Sequence, residues 1–270
     1  MCLYGTFGSR WCNSGAPRSY VASYNRPLVT RDYRAINAPF GAEYPLIRFL
    51  EQNGYDVAYQ SGLDTHLRGL TGPQLFISVG HDEYWSGPQR TAVEAARDRG
   101  VNLAFMSGNE VYWRIRWEYS IGQEPSELET QPDNEPRIMV CYKDSHATQK
   151  LDPVASEWTG VWRDNREINP LGAMPENSLT GQVYVSDTWA NYPIIVPPEY
   201  SRHRFWRHTA AANQEHHSKR NDDSGVNEHE SKDSDARQDA QPGVVLLKGL
   251  IGHEFDEVSN QTFFVAQMQR

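Results

Sequence analysis

The run Gly80-His81-Asp82-Glu83-Tyr84-Trp85 sets four side chains that accept, donate or coordinate next to one another. An imidazole and a carboxylate separated by one residue can pass a proton between them near neutral pH, the basis of general acid–base catalysis. The adjoining phenol offers a hard oxygen that suits a metal ion once it is deprotonated. A turn that only reverses the chain is more usually built from Gly, Asn, Pro and Ser. On the structural alternative, His81 and Asp82 cap the next helix while Tyr84 and Trp85 pack beneath it. A companion run, Ser107-Gly108-Asn109-Glu110-Val111-Tyr112-Trp113, places Asn109 where its amide could meet a substrate carbonyl or an oxyanion, or else cap a helix. Asn177, in Pro175-Glu176-Asn177-Ser178-Leu179-Thr180-Gly181, is open to the same two readings.

Both runs follow apolar segments that read as buried strands. Residues 74–79 (Gln-Leu-Phe-Ile-Ser-Val) close on Gly80, and residues 101–106 lead into Ser107-Gly108-Asn109. Between them Ser86 is a candidate N-cap, Pro88 stands just inside, and Gly100 ends a helix over 86–99. A second helix is expected over 43–53, with Pro45 in its first turn and Gly54 as its stop. Further strands are expected at 18–24, 55–60 and 137–142. Strands alternating with helices predict an α/β fold, a mainly parallel sheet with helices on both faces. Ligands of such sheets bind beyond the carboxyl ends of the strands, where the two polar runs lie.

The rest of the chain narrows the function. Its 270 residues carry 35 acidic and 26 basic side chains, a formal charge of −9. That balance, without a basic stripe, argues against nucleic acid. No stretch approaches the roughly 18–20 apolar residues of a membrane span, and the first residues lack the apolar block of a secretory signal. Three cysteines, Cys2, Cys12 and Cys141, make no paired framework, so a reduced, cytoplasmic setting is favoured. There is no G-x-S-x-G, H-E-x-x-H or G-x-x-x-x-G-K-[ST], and no G-x-G-x-x-G after the first strand, so the serine-hydrolase, zincin and nucleotide readings lose their usual support. The organisation expected is an ill-defined segment 1–17, an α/β domain over 18–212, a disordered polar insertion at 213–241, and a return to the same domain at 242–270. The insertion holds no Phe, Trp or Tyr, and too little apolar surface to offset the entropy of ordering it. The aromatics Trp158, Trp162, Trp189, Tyr192 and Trp206 are compatible with a glycan-binding surface, although such density more often marks a core.

Taken together, Ser23-Tyr24-Asn25-Arg26-Pro27, Ala42-Glu43-Tyr44-Pro45, Asn53-Gly54-Tyr55-Asp56-Val57, the block from Ser78 to Ser86 and the block from Ser107 to Trp113 resemble the C-terminal domain of the N,N-dimethylformamidase large (beta) subunit and its bacterial relatives. Glu157-Trp158-Thr159-Gly160-Val161-Trp162-Arg163-Asp164, Pro175 to Gly181, and Gly252-His253-Glu254-Phe255-Asp256-Glu257 continue the likeness in the same order. The resemblance implies a glutamine-amidotransferase-like α/β fold and an amidohydrolase that splits a small formamide into formate and an amine. It further implies a mononuclear Fe(III) held by two tyrosinates and a carboxylate, for which Tyr44, Tyr84 and Glu157 are the matching positions, with Glu176 in reserve. His81 and Glu83 then orient groups around the metal or carry protons, Glu254 is a distal general base, and Asn109 and Asn177 bind substrate. A small partner subunit, or further domains of a longer chain, is implied as well. In one respect the chain departs from the pattern: Asp82 stands where the dimethylformamidase block has Pro between its His and Glu. The alternative, from another class, is a non-catalytic α/β module that keeps the fold for binding or scaffolding.

Overall fold

Helix α3 (Gly87–Asp98) starts where its chemistry dictates. Ser86 Oγ accepts from Gln89 N at 3.3 Å, and Gln89 Oε1 accepts from Ser86 N at 3.4 Å, a reciprocal capping box with Pro88 just inside. Val93 and Ala96 give it a buried face, and Gly100 stops it at φ 96°. Helix α1 (Tyr44–Gln52) has Pro45 in its first turn and buries Leu50. The computed structural model from which these features come describes residues 19–25, 41, 43–120, 135–185, 196–207 and 212, with the backbone alone of 266–269.

The remaining elements in chain order are β1 (Val21–Ser23), β2 (Asp56–Ala58), α2 (Gly62–Arg68), β3 (Leu75–His81), β4 (Tyr84–Ser86), β5 (Asn102–Gly108), β6 (Trp113–Glu118), β7 (Ile138–Val140), α4 (Asn177–Thr180) and β8 (Ala266–Gln269). They build two four-stranded sheets, ordered β1-β7-β6-β4 and β2-β8-β3-β5. The chain divides into two units, Met1–Asp187 with His253–Arg270, and Thr188–Gly252. In the second unit the described residues form two single 3-10 turns, Pro198–Tyr200 and Arg204–Trp206.

An α/β architecture is what the sequence pattern led one to expect, but the sheets are mixed rather than mainly parallel. Parallel pairing joins β3 to β5, from Leu75↔Asn102 to His81↔Gly108, and β4 to β6, from Tyr84↔Trp113 to Ser86↔Ile115. Pairs β1–β7, β6–β7, β2–β8 and β3–β8 are antiparallel. Part of the difference arises at residues 113–118, which form strand β6 rather than lying in a helix after Asn109. Strand β6 pairs antiparallel with β7, the next strand in the chain, where a crossover helix would have allowed a parallel pairing.

Strand β3 is covered on both faces. Phe76 joins Val93 and Ala96 of α3 in a cluster with Leu70, Trp85, Val111, Trp162 and Leu179. Its neighbour Ile77 points the other way, to Leu50 of α1. A third cluster, Ala22, Tyr84, Trp113, Ile115, Met139, Cys141 and Val161, fills the interior of the first sheet. Trp158 and Trp162 are 1% and 2% exposed, which makes them core and not a glycan platform. The polar stretch 213–241 lies outside the described residues, as do Trp189 and Tyr192.

Ser86 ties this frame together, because besides capping α3 its Oγ lies 2.8 Å from His66 Nδ1 of α2 and is 0% exposed. Ser86→Ala is therefore expected to cost about 1–2 kcal/mol, read as a lower urea midpoint with an unchanged slope. An unchanged midpoint would show that the cap and the link to α2 contribute nothing.

Candidate active site

The two parallel pairs are continuous with each other. β3 ends at His81 and β4 begins at Tyr84, while β5 ends at Gly108 and β6 begins at Trp113. The chain thus leaves one sheet and enters the other twice, side by side, along a seam that holds both polar runs. Backbone bonds join its two crossings: Asp82 N donates to Gly108 O (3.3 Å), Val111 N to Asp82 O (2.9 Å), and Tyr112 N and Trp113 N to Glu83 O (3.0 and 2.8 Å). Gly80 reaches φ 84° just before the seam, a conformation that its missing Cβ permits. Asn109 and Val111 adopt φ 53° and 54°. For a β-branched residue that is strained by roughly 1–3 kcal/mol, a cost typical of sites where geometry is imposed for function.

Within the seam His81 Nε2 stands 3.5 Å from Glu83 Oε2, with the two side chains 16% and 6% exposed. Asp82 is 3% exposed and accepts a short hydrogen bond from Ser78 Oγ. Burial pushes its carboxyl up to about 6, against the lowering effects of Ser78, Trp85 and His81. Burial lifts Glu110 further, to about 7, and the neighbouring charge of Asp82 adds to the rise. Gln182 Nε2 donates to Glu110 Oε1 at 3.1 Å.

Tyr84, 1% exposed, faces Lys143, whose ammonium is 5.5 Å from the Tyr84 ring centroid and 4.6 Å from that of Trp113. Lys143 is itself 1% exposed and lies at the end of β7 with φ 51°. Tyr112 packs edge-to-face on Trp113 and on Tyr184, and the Arg163 guanidinium lies 5.3 Å from its ring. Burial raises the Tyr112 phenol, and the charges of Glu176 and Glu83 act in the same direction against Arg163. Glu176 is 0% exposed. Arg90 and Arg114 each stand 4.7 Å from the Trp162 ring centroid.

The residues singled out in the sequence therefore fall into distinct positions. His81, Glu83 and Tyr84 share the seam, and Asn109 lies in its second crossing, where a strand follows and no helix takes Asn109 as its cap. Tyr44 is 45% exposed at the first position of α1. Glu157 is half-buried, and its charge offsets the burial that lowers Arg114. Asn177 is exposed in α4, whereas its neighbour Glu176 is buried. Glu254 lies outside the described residues. Sequence reasoning missed Lys143, Tyr112, Glu110 and Arg163. Lys143 had a signal, since it follows the apolar run 137–142 as His81 follows 74–79. Buried Cys141, with its thiol pushed up to about 12 by burial, is no nucleophile.

Among the described residues no three His, Cys, Asp or Glu side chains gather into a metal-binding group. No helix among them is long and apolar enough to cross a membrane. A protein-family model described as N,N-dimethylformamidase beta subunit-like, C-terminal, matches residues 1–267. No curated protein matches the chain, and no solved structure does.

The two raised carboxyls make stability depend on pH. Between about 4.5 and 7 the folded chain keeps a proton on Glu110 that the unfolded chain has released, so the folded state binds more protons and stability falls as pH rises through that window. Glu110→Gln should flatten the decline of the urea midpoint between pH 5 and 7.5. A decline as steep as that of the unmodified chain would rule out Glu110 as its source.

Proposed function

We propose that the chain, which belongs to the N,N-dimethylformamidase beta subunit-like, C-terminal family, is a hydrolase domain that cleaves the C–N bond of a small formamide or related linear amide at the seam. The observation that carries this reading is the His81–Glu83 pair, 3.5 Å apart and nearly buried where β3 ends. His81 takes a proton from the attacking water, and Glu83 orients the imidazole and balances the positive charge that develops on it. The Asn109 amide, in the second crossing, donates to the carbonyl oxygen as negative charge builds there. Glu254 and Asn177 enter by resemblance, as a distal base and a substrate contact. The same resemblance assigns a glutamine-amidotransferase-like core, and the parallel β3–α3–β5 unit with α1 packed on its other face is the supporting feature.

The proposal includes a mononuclear Fe(III). The donor chemistry suits it: the Tyr84 phenol is 1% exposed, and hard oxygen donors favour a trivalent ion. Tyr44 and Glu157 are the matching positions for the second tyrosinate and the carboxylate. When bound, such an ion would polarise the amide carbonyl and lower the pKa of a coordinated water. Association with a second subunit belongs to the same proposal, since the family is that of a beta subunit.

The full chain is expected to release formate and dimethylamine from N,N-dimethylformamide, to contain about one iron per chain, and to show a visible tyrosinate-to-iron band. Tyr84→Phe should lose the band and more than about 100-fold in kcat/KM, beyond what loss of an outer-sphere partner costs. Unchanged iron content and activity in that variant would remove Tyr84 from the site. A chain with neither iron nor amidase activity would leave the fold as a binding module.

A further inference from the structure

An amide cleaved at the seam must rest its N-substituents somewhere, and alkyl groups gain by meeting apolar surface that is open to an incoming molecule. The two polar runs hold four aromatic side chains. Tyr84, Trp85 and Trp113 are at most 1% exposed, closed inside the core. Tyr112 is half-buried, so of the four it is the ring that a small molecule can touch from solvent.

That ring stands beside the proposed proton-transfer pair. Tyr112 N donates to Glu83 O at 3.0 Å, and the Glu83 charge acts on the Tyr112 phenol. Its place is fixed from several sides. Trp162 N donates to Tyr112 O (3.2 Å), and the ring packs edge-to-face on Trp113 with centroids 5.0 Å apart. Tyr184, also half-buried, meets it at 5.3 Å and 75°, and the Arg163 guanidinium lies 5.3 Å from its centre. Tyr184 is held in turn, because Arg163 Nη1 donates to Tyr184 O at 2.7 Å. Two residues earlier, Gln182 Nε2 donates to Phe105 O (3.4 Å) and Glu110 Oε1 (3.1 Å), which anchors the segment to β5. Two rings close to perpendicular, both reachable from solvent and both braced, make an aromatic corner next to polar side chains. Small-molecule sites have this composition, aromatic walls with a few polar groups.

We propose that Tyr112 is a specificity-determining residue, whose ring, braced by Tyr184, receives the N-substituents of the amide and limits their size. The inference rests on the hydrolase reading above and deepens it by naming what the site selects. Neither tyrosine moves a proton. The corner admits methyl groups and resists longer chains because the rings cannot retreat: Trp113 and Arg163 already pack against Tyr112.

The test is the ratio of kcat/KM for N,N-diethylformamide to that for N,N-dimethylformamide, measured on full-length chains. Tyr112→Ala removes the wall, and the ratio should rise about 10-fold or more, the discrimination that an added methylene ordinarily carries. Tyr112→Phe keeps the ring, so its ratio should stay within about threefold of the unmodified chain's. Tyr184→Ala, a change outside both polar runs, should move the ratio in the same direction as Tyr112→Ala. An unchanged ratio in either alanine variant overturns the proposal. A rise in Tyr112→Phe equal to that in Tyr112→Ala also overturns it, since the hydroxyl and not the ring would then set the size. Loss of activity on both formamides in the alanine variants overturns it too, marking the rings as structural supports. If the unmodified chain releases no amine from either compound, the hydrolase reading falls and takes this proposal with it.

Discussion

Everything in the site follows from one constraint: two parallel strands change sheets at the same place, and their peptide groups must stay hydrogen-bonded while they do so. Buried backbone without partners is too costly to persist. The crossing solves this with bonds between its own two halves, Asp82 and Glu83 on one side, Gly108 and Val111 to Trp113 on the other. The solution consumes the local backbone and leaves the side chains to find their own partners. It also forces Val111 into the left-handed region, where its burial among Phe76, Trp85 and Trp162 and its hydrogen bond to Asp82 O hold it. An active site gains from such rigidity, because groups fixed before substrate arrives need no reorganisation during reaction.

The second consequence is electrostatic. A seam rich in carboxyls, shut away from water, requires cations of comparable burial, and the fold supplies them against aromatic faces. Lys143 lies over Tyr84 and Trp113, Arg90 and Arg114 over Trp162, and Arg163 over Tyr112. For a desolvated cation such a contact is worth about 2 kcal/mol, and Arg90 and Arg163 also face carboxylates, Glu94 at 2.8 Å and Glu176 at 3.5 Å. Lys143 is fixed from behind as well. Asp144, 0% exposed, accepts from Leu151 N, Asp152 N and Thr159 N, so the loop after β7 closes on a single carboxylate. Asp152 in turn binds Arg116 of β6 through both its oxygens. The polar network of the 144–159 segment is thereby tied to the strand that carries Trp113.

How much of this can be read from the chain depends on whether the deciding interactions are local. Helix α3 was legible because Ser86, Pro88, Gln89 and Gly100 act on residues within one turn. Strands β3 and β5 were legible as unbroken apolar runs, and the rule that ligands gather at strand ends located the seam. Strand β6 was equally written in the sequence: Trp113-Arg114-Ile115-Arg116-Trp117-Glu118 alternates strictly, the period of a half-buried strand, yet Asn109 as a helix cap pointed elsewhere. Helix α2 carried its own sign in Ser61 and Asp64, which form a capping box. Strand pairing was not legible, since β3 meets β8 from the far end of the chain. Nor was the charge pattern of the site, because a lysine or glutamate that will be buried looks no different in a sequence from one that will be solvated. Glu176 and Asn177 illustrate the difficulty: adjacent and both polar, one is wholly buried and the other exposed.

Asp82 shows why a single departure from the family block has physical weight. Proline in this position would have no N–H to give, whereas Asp82 N donates to Gly108 O across the crossing. The aspartate thus adds a bond between the two halves of the seam. It also buries an acid that takes a hydrogen bond from Ser78 on the preceding strand and whose charge acts on Glu110 in the facing run. A proline would fix the backbone through its ring and leave the seam's charge unchanged. The aspartate fixes it through hydrogen bonds and couples it to a second carboxyl that releases its proton near neutrality. The aspartate thereby adds a second titrating carboxyl to a frame in which burial already raises Glu110.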